Sequence, residues 1–311
     1  MLVIAAPSNL GLAPPRPNRE SGTWRAPQAL FAAGLLDVLG APPVVALPRP
    51  PYSPHPEPGT RLRNGHAMRQ FNLLLADAVH EASKRTGFVL VVGGDCSILP
   101  GALAGARRLG PLFLVHVDGH SDFRHPGNTA PARDPDAAAG MDLAMVTGRG
   151  EALGTAWPGV DGPLVADTDI VQLGDRETRN QDFPWFDLRN TTIERIDVFD
   201  ALHLGPAGVA ARIATVLGRD PDRGLWVHLD VDVLDRTVMP AVDCPGSPGL
   251  LPDDLVAILA PLVADRRCRG LTLTIFDPDL DPDGRHAATL VSLVARLRFP
   301  RDRTPPPPGD R

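Results

Sequence analysis

Seven short runs of this chain, at residues 2–6, 44–47, 88–92, 112–117, 170–173, 225–229 and 271–276, are almost wholly apolar. A strand with one wet face alternates apolar and polar residues, whereas a strand buried on both faces does not. These runs are read as parallel strands covered on both faces. Amphipathic stretches separate them, at about 26–37, 66–84, 97–108, 205–218, 252–265 and 286–297, and are read as helices. Pro252-Asp253-Asp254 opens one of these, as suits the first turn of a helix. Strand and helix alternating in this way predict an α/β fold with a mostly parallel central sheet.

With 311 residues, 43% of them hydrophobic, the chain is long enough for one large domain with a sizeable core. No linker divides it into comparable halves, so one domain is expected over 1–298. A proline-rich tail, disordered or extended, follows at 299–311. The proline-rich stretch 41–60 is read as a strand followed by a long irregular loop. The net charge is −6 and no basic block stands out, which argues against a nucleic-acid partner. No apolar run approaches the roughly 20 residues that span a bilayer, so no membrane association is expected. The first residues read as a strand rather than a signal peptide. Three cysteines, Cys96, Cys244 and Cys268, form no disulfide framework. Together these features predict a cytoplasmic protein.

Chemistry gathers where the apolar runs end. The run 112–117 leads into Asp118-Gly119-His120-Ser121-Asp122. In extended backbone, alternate residues point to one side, so Asp118, His120 and Asp122 are expected to converge at the carboxyl end of a strand. Ligands of open α/β sheets bind there. The run 225–229 likewise delivers Asp230 and Asp232, and buried carboxylates need a cation or a partner. His228 alternates in step with them and is read as structural, as a lone histidine on a core strand usually is. A third run ends in Gly93-Gly94-Asp95-Cys96-Ser97, a strand–turn–helix junction. Four aspartates and a histidine make a hard, oxygen-rich donor set that suits Mn(II) or Mg(II) better than Zn(II).

These three segments, in this order and spacing, resemble the ureohydrolase family of arginases, agmatinases and formiminoglutamases. The family signatures usually read GGDHS, DAHxD and DxDxxDP. Gly140-Met141-Asp142 and the segment Met239-Pro240 to Pro245 also resemble family segments, and the similarity covers roughly residues 1–295. The resemblance implies a three-layer α/β/α sandwich and a trimeric or hexameric homo-oligomer. It implies two Mn(II) ions with a bridging hydroxide, hydrolysing a guanidino C–N bond in a small molecule. It places Cys96, Asp118, His120, Asp122, Asp230 and Asp232 at the metals, with Asp95 and Asp235 hydrogen-bonding the site from behind.

Three departures from the family bear on function. Cys96 stands where the family has a metal-binding histidine. A thiolate is softer, so one ion or another divalent metal is an alternative to two Mn(II). Ile275 stands where the family has the glutamate that binds guanidinium, and Asp277, Asp279 or Asp281 is the expected substitute. Ala139 stands where the family has a proton-shuttling histidine. His125 is the expected substitute, with Asp122 as the second catalytic group. Arg124 and Asn128, in the same loop as His125, are expected to contact substrate. The expected activity is hydrolysis of a guanidino or N-hydroxyguanidino compound. The alternatives are hydrolysis of a neutral amide or formimino group, and a catalytically silent binding protein.

Overall fold

The computed structural model describes residues 1–17, 19–129, 136–180 and 186–299, with Phe186 described by its backbone alone. Among the described residues, eight strands form one sheet: β1 (Leu2–Ala6), β2 (Val44–Ala46), β3 (Val89–Gly93), β4 (Leu112–Val117), β5 (Ile170–Leu173), β6 (Glu194–Ile196), β7 (Gly224–Asp230) and β8 (Cys268–Thr274). Their order is β2-β1-β3-β8-β7-β4-β5-β6, and every adjacent pair is parallel. This is an α/β fold with a parallel central sheet, as expected.

Alternation along the strands sends side chains to two cores. Val3, Leu90, Val92, Phe113, Val115, Val227 and Leu271 pack on one side, against helices α1 (Ala26–Ala32), α2 (Leu35–Val38), α7 (Val198–Leu217), α8 (Pro252–Ala264) and α9 (Arg285–Ala295). Leu2, Ile4, Val89, Val91, Leu112, Leu114 and Trp226 pack on the other, against α3 (Gly65–Arg85), α4 (Leu99–Arg107), α5 (Asp142–Val146) and α6 (Ala152–Thr155). Each such apolar side chain taken fully out of water contributes about 1.5–3 kcal/mol. That is why the strand runs show no polar face.

All seven expected strands are present, three with the expected ends and four with ends that shift by up to three residues. The eighth, β6, was not expected. It is an edge strand of three residues, Glu194-Arg195-Ile196, too short and too charged for an apolar pattern. The helix expected at 205–218 instead begins at Val198. Gly205, with φ of 64°, and Pro206 interrupt it, so that the second half alone looks like a helix start. Phe299 meets Phe88 edge-on at 5.3 Å, so the first residue of the tail expected at 299–311 packs on the core. The rest of that tail, 300–311, lies outside the described residues.

The chain visits β3 and then β4 before returning to fill the gap between them with β7 and β8. Such a gap leaves a crevice at the carboxyl ends of the strands. Cys96, Asp118, Asp230 and Ile275 all lie just beyond, or at, the ends of these four strands.

Candidate metal centre

Each strand end is shaped by its own local chemistry. At the end of β3, a Cβ on Gly94 would lie 1.7 Å from the Ser8 carbonyl oxygen, so only glycine lets the two segments touch. Asp95 then caps the following turn. It accepts from Ser97 N (3.3 Å), Ser8 Oγ (2.8 Å) and Gly11 N (2.9 Å), and so fixes the backbone that presents Cys96. At the end of β4 the pleat does not continue, as the alternation argument supposed. The chain bends at Gly119-His120, and Asp122 sits in the left-handed region with φ of 44°. The bend is held by His120 N donating to Asp118 Oδ1 at 2.6 Å and by Gly119 N donating to Asp232 Oδ1 at 3.0 Å. At the end of β7, Asp230 caps the turn Val231–Val233 by accepting from Asp232 N at 2.7 Å.

These turns bring Cys96, Asp118, His120, Asp122, Asp230 and Asp232 together. His120 Nδ1 stands 2.8 Å from Asp232 Oδ2 and 3.7 Å from Asp118 Oδ1. Cys96 Sγ lies 2.8 Å from Asp230 Oδ2 and 3.1 Å from Thr274 Oγ1. Burial, and then the charge of Asp122, pushes Asp118 well above the usual carboxylate range. Burial and the charge of Asp142 do the same to Asp122, and burial and the charge of Asp232 to Asp230. Burial also raises Asp232, but the His120 imidazolium outweighs it and holds this carboxyl below its usual range. Burial raises the Cys96 thiol, with the charge of Asp230 adding to it. Carboxylates that repel one another out of water are the signature of a cation site. Asp118 Oδ2 is buried without a hydrogen-bond partner. Asp118, His120 and Asp232 each offer a donor atom within 4.8 Å of the others, and so do Cys96, Asp122 and Asp142. The residues present thus fit divalent cations.

The centre forms part of the wall of a cavity of about 330 Å3, a size suited to a small ligand. Cys96, His120, Asp122, Asp230 and Asp232 line it together with Arg124, Glu177, Asp243, Cys244, Ile275, Ala139 and Gly140.

The remaining expected residues sit elsewhere. His125 is not among the lining residues, and both its ring nitrogens are engaged: Nε2 at 2.7 Å from Asp187 Oδ2, and Nδ1 accepting from Gly127 N at 3.1 Å. Asn128 spends its amide on its own loop and on Asp187, donating to Phe123 O and Asp187 Oδ1 and accepting from His125 N. Asp277 is drawn away from the cavity because it accepts from Ser21 Oγ, Gly22 N and Asp279 N. Asp235 accepts from Thr237 N and Gly249 N, closing a turn rather than touching the ligands.

Sequence reasoning passed over Glu177, Asp243 and Asp142. Glu177 follows β5, and burial raises its carboxyl. The rule that pointed to Asp118 and Asp230, acids just past an apolar run, would have found it in Gly174-Asp175-Arg176-Glu177. Asp142, wholly buried, carries no such signal, because α5 is too short to show a helical pattern.

Comparison with known proteins agrees with this geometry. The Arginase family model matches residues 56–298. Arginase of Bacillus caldovelox is 29% identical over 244 residues, covering 78% of this chain and 79% of its own. Its solved structure superposes with a TM-score of 0.80 at 26% identity, covering 95% of this chain and 97% of that one. Proclavaminate amidinohydrolase of Streptomyces clavuligerus is 27% identical over 217 residues, 70% of this chain and 62% of its own. The chain belongs to the arginase family. It is a hydrolase of the ureohydrolase type, with its substrate still to be assigned. Among the described residues, no helix is long and apolar enough to cross a membrane.

Proposed function

We propose that this chain hydrolyses the C–N bond of a guanidino or N-hydroxyguanidino compound, releasing urea or hydroxyurea. Asp118, His120, Asp122, Asp230, Asp232 and Cys96 would hold two divalent cations, at least one of them Mn(II). The observation that carries this reading is the convergence of Asp122, Asp230, Asp232 and His120 on one cavity wall, with Asp118 beside them and its Oδ2 buried and unpartnered. Bound cations supply a water of lowered pKa and a positive field for the charge that develops on the substrate. The chain's own groups do the rest. Asp122, in the cavity wall, takes the proton released as water attacks and returns it to the departing amine. Glu177 and Asp243 give the cavity an acidic rim that attracts a cationic substrate, and Arg124 is placed to orient an anionic end. Assembly as a homo-oligomer, trimer or hexamer, and a cytoplasmic location belong to the same proposal. Family membership and three cysteines that form no disulfide support them.

One observation favours a second reading. Ile275, almost fully buried, presents an apolar side chain to the cavity where the resemblance calls for a carboxylate. Hydrolysis of a neutral amide or formimino group needs no such carboxylate. The test is release of urea, hydroxyurea, formamide and ammonia from a panel of guanidino, N-hydroxyguanidino, formimino and primary amide compounds, with Mn(II) supplied. Release of urea or hydroxyurea supports the first reading, and formamide from formimino compounds or ammonia from primary amides the second. No turnover of any of them by the metal-loaded chain sinks both.

A further inference from the structure

Behind the carboxylates, on the sheet face that carries α5, lies a group of polar side chains with no access to water. His116 of β4, His228 of β7, Thr272 of β8 and Asp142 of α5 all have essentially no exposed surface. The two imidazoles stack with centroids 4.9 Å apart, and His116 Nε2 is 3.1 Å from Asp142 Oδ1. His228 Nδ1 is satisfied by Thr272 Oγ1 at 2.8 Å. Its Nε2 is not. That atom is buried without a hydrogen-bond partner, 3.3 Å from Asp142 Oδ2 but not aligned to bond it. Asp142 Oδ2 and Asp118 Oδ2 are partnerless too. A buried polar atom left unsatisfied is destabilising, and three beside one thiol ask for a common occupant.

Asp118 links the two sides. Its Oδ1 lies toward His120, at 3.7 Å from Nδ1, and its Oδ2 lies toward the buried histidines, 3.9 Å from His116 Nε2. Cys96, Asp118 and His228 each offer one donor atom within 4.8 Å of the others, and all three are buried.

We infer that Cys96, Asp118 and His228 form a cation position that shares Asp118 with the Asp118–His120–Asp232 position. With a thiolate, an imidazole and a carboxylate it is the softer of the two, and it selects Zn(II) or Co(II) over Mn(II). Asp142 Oδ2 is a fourth donor in the same space. The inference deepens the metal-centred reading above and rests on it. It makes the centre asymmetric, one hard position at His120 and Asp232 and one soft position that runs from Cys96, in the cavity wall, back to the buried His228.

The test is a Co(II) titration of the metal-free full-length chain, followed by absorption. Binding at the soft position gives a sulfur-to-cobalt charge-transfer band, which Cys96→Ser abolishes even though Cys244 remains. His228→Gln weakens that position by about ten-fold or more while the other equivalent of Co(II) still binds. Zn-edge X-ray absorption of the unmutated Zn(II)-loaded chain requires no variant, and a sulfur plus an imidazole on zinc is the expected result. A band that survives Cys96→Ser, an unchanged affinity in folded His228→Gln, or zinc bound by oxygen alone overturns the inference. Metal bound without sulfur would sink this inference only, whereas no metal bound at all would also sink the hydrolase mechanism.

Discussion

His120 Nδ1 and Asp232 Oδ2 stand 2.8 Å apart, joining the bend after β4 to the turn after β7. Asp232 accepts a second hydrogen bond from Gly119 N at 3.0 Å, so the carboxylate and the histidine are fixed relative to one another before any cation arrives. Burial lowers the histidine, but the Asp232 charge more than offsets this and carries it up to about 9 from an ordinary 6.5. In the metal-free chain the pair is therefore an imidazolium–carboxylate at neutral pH.

Metal uptake is predicted to release protons. His120 must lose its proton to ligate, so between about 6.5 and 9 each cation bound at Asp118–His120–Asp232 displaces it. Without metal the sign is the reverse. A pKa raised on folding contributes stability below the unfolded value, and that contribution is lost as pH rises through about 9. Calorimetry of Mn(II) binding in buffers of different ionisation heat should show proton release at neutral pH. His120's share should fade above about 9. Heats that do not depend on the buffer would contradict the assignment.

Asp118→Asn is predicted to act in opposite directions on stability and on function. Asp118 is buried, its carboxyl is raised by burial and by Asp122, and Oδ2 has no partner. Replacing it by a neutral isostere relieves repulsion in the metal-free chain. The gain should be about 1 kcal/mol, a rise in Tm of roughly 2 °C or more. The same change should weaken Mn(II) binding at least ten-fold and abolish turnover. Melting with and without Mn(II) separates the two effects: the variant should melt higher than the parent without metal, and gain less from it.

Much of this centre is legible in the sequence because strand ends are. Asp118, Asp230 and Cys96 follow apolar runs directly, and such runs are easy to read when both faces of a sheet are buried. What lies beyond a turn is harder. Asp122 reaches the site through a left-handed residue, and not through the strand alternation that nominated it. His125, Asn128 and Asp277 are expected from chemical type and from nearness to positions the resemblance marks. Each is held by loop hydrogen bonds, to Asp187, Phe123, Ser21 and Gly22, that no local pattern announces. His228 was legible as a position and was set aside. Its role depends on Asp142 and Thr272, which are 86 and 44 residues away in sequence.

Two glycines near the site should respond differently to alanine. At Gly94 the new Cβ would meet backbone, the Ser8 carbonyl oxygen at 1.7 Å and carbon at 2.6 Å, and backbone of β1's exit cannot yield without moving Asp95 and Cys96. Gly94→Ala should destabilise by about 3 kcal/mol or more. At Gly140 the nearest atom is Arg124 Cδ at 3.8 Å, ordinary contact distance. Gly140→Ala should change stability by less than about 0.5 kcal/mol. Denaturant midpoints of the two variants check this. Equal effects would mean that the approach of β3's exit to Ser8 is looser than described.

Ile275 carries the prediction about substrate. Its φ is 74°, a left-handed conformation that a β-branched side chain adopts at a penalty of roughly 1–3 kcal/mol. The strain is held by its N–H donating to Gly94 O at 2.7 Å and by nearly complete burial. The result is an apolar side chain in the wall of an otherwise acidic cavity. Ile275→Glu puts a carboxylate there. A hydrogen bond to a charged group contributes about 1.5–3 kcal/mol, so kcat/KM for guanidinium substrates, relative to uncharged ones, should rise by about ten-fold or more. The added charge should also lower the stability of the metal-free chain. Ile275→Val, which keeps the shape and polarity, should leave the ratio unchanged. If Ile275→Glu folds, binds metal and shows the parent's ratio, then Ile275 does not face the substrate, and the preference for charged or neutral substrates is set by Glu177 and Asp243 instead.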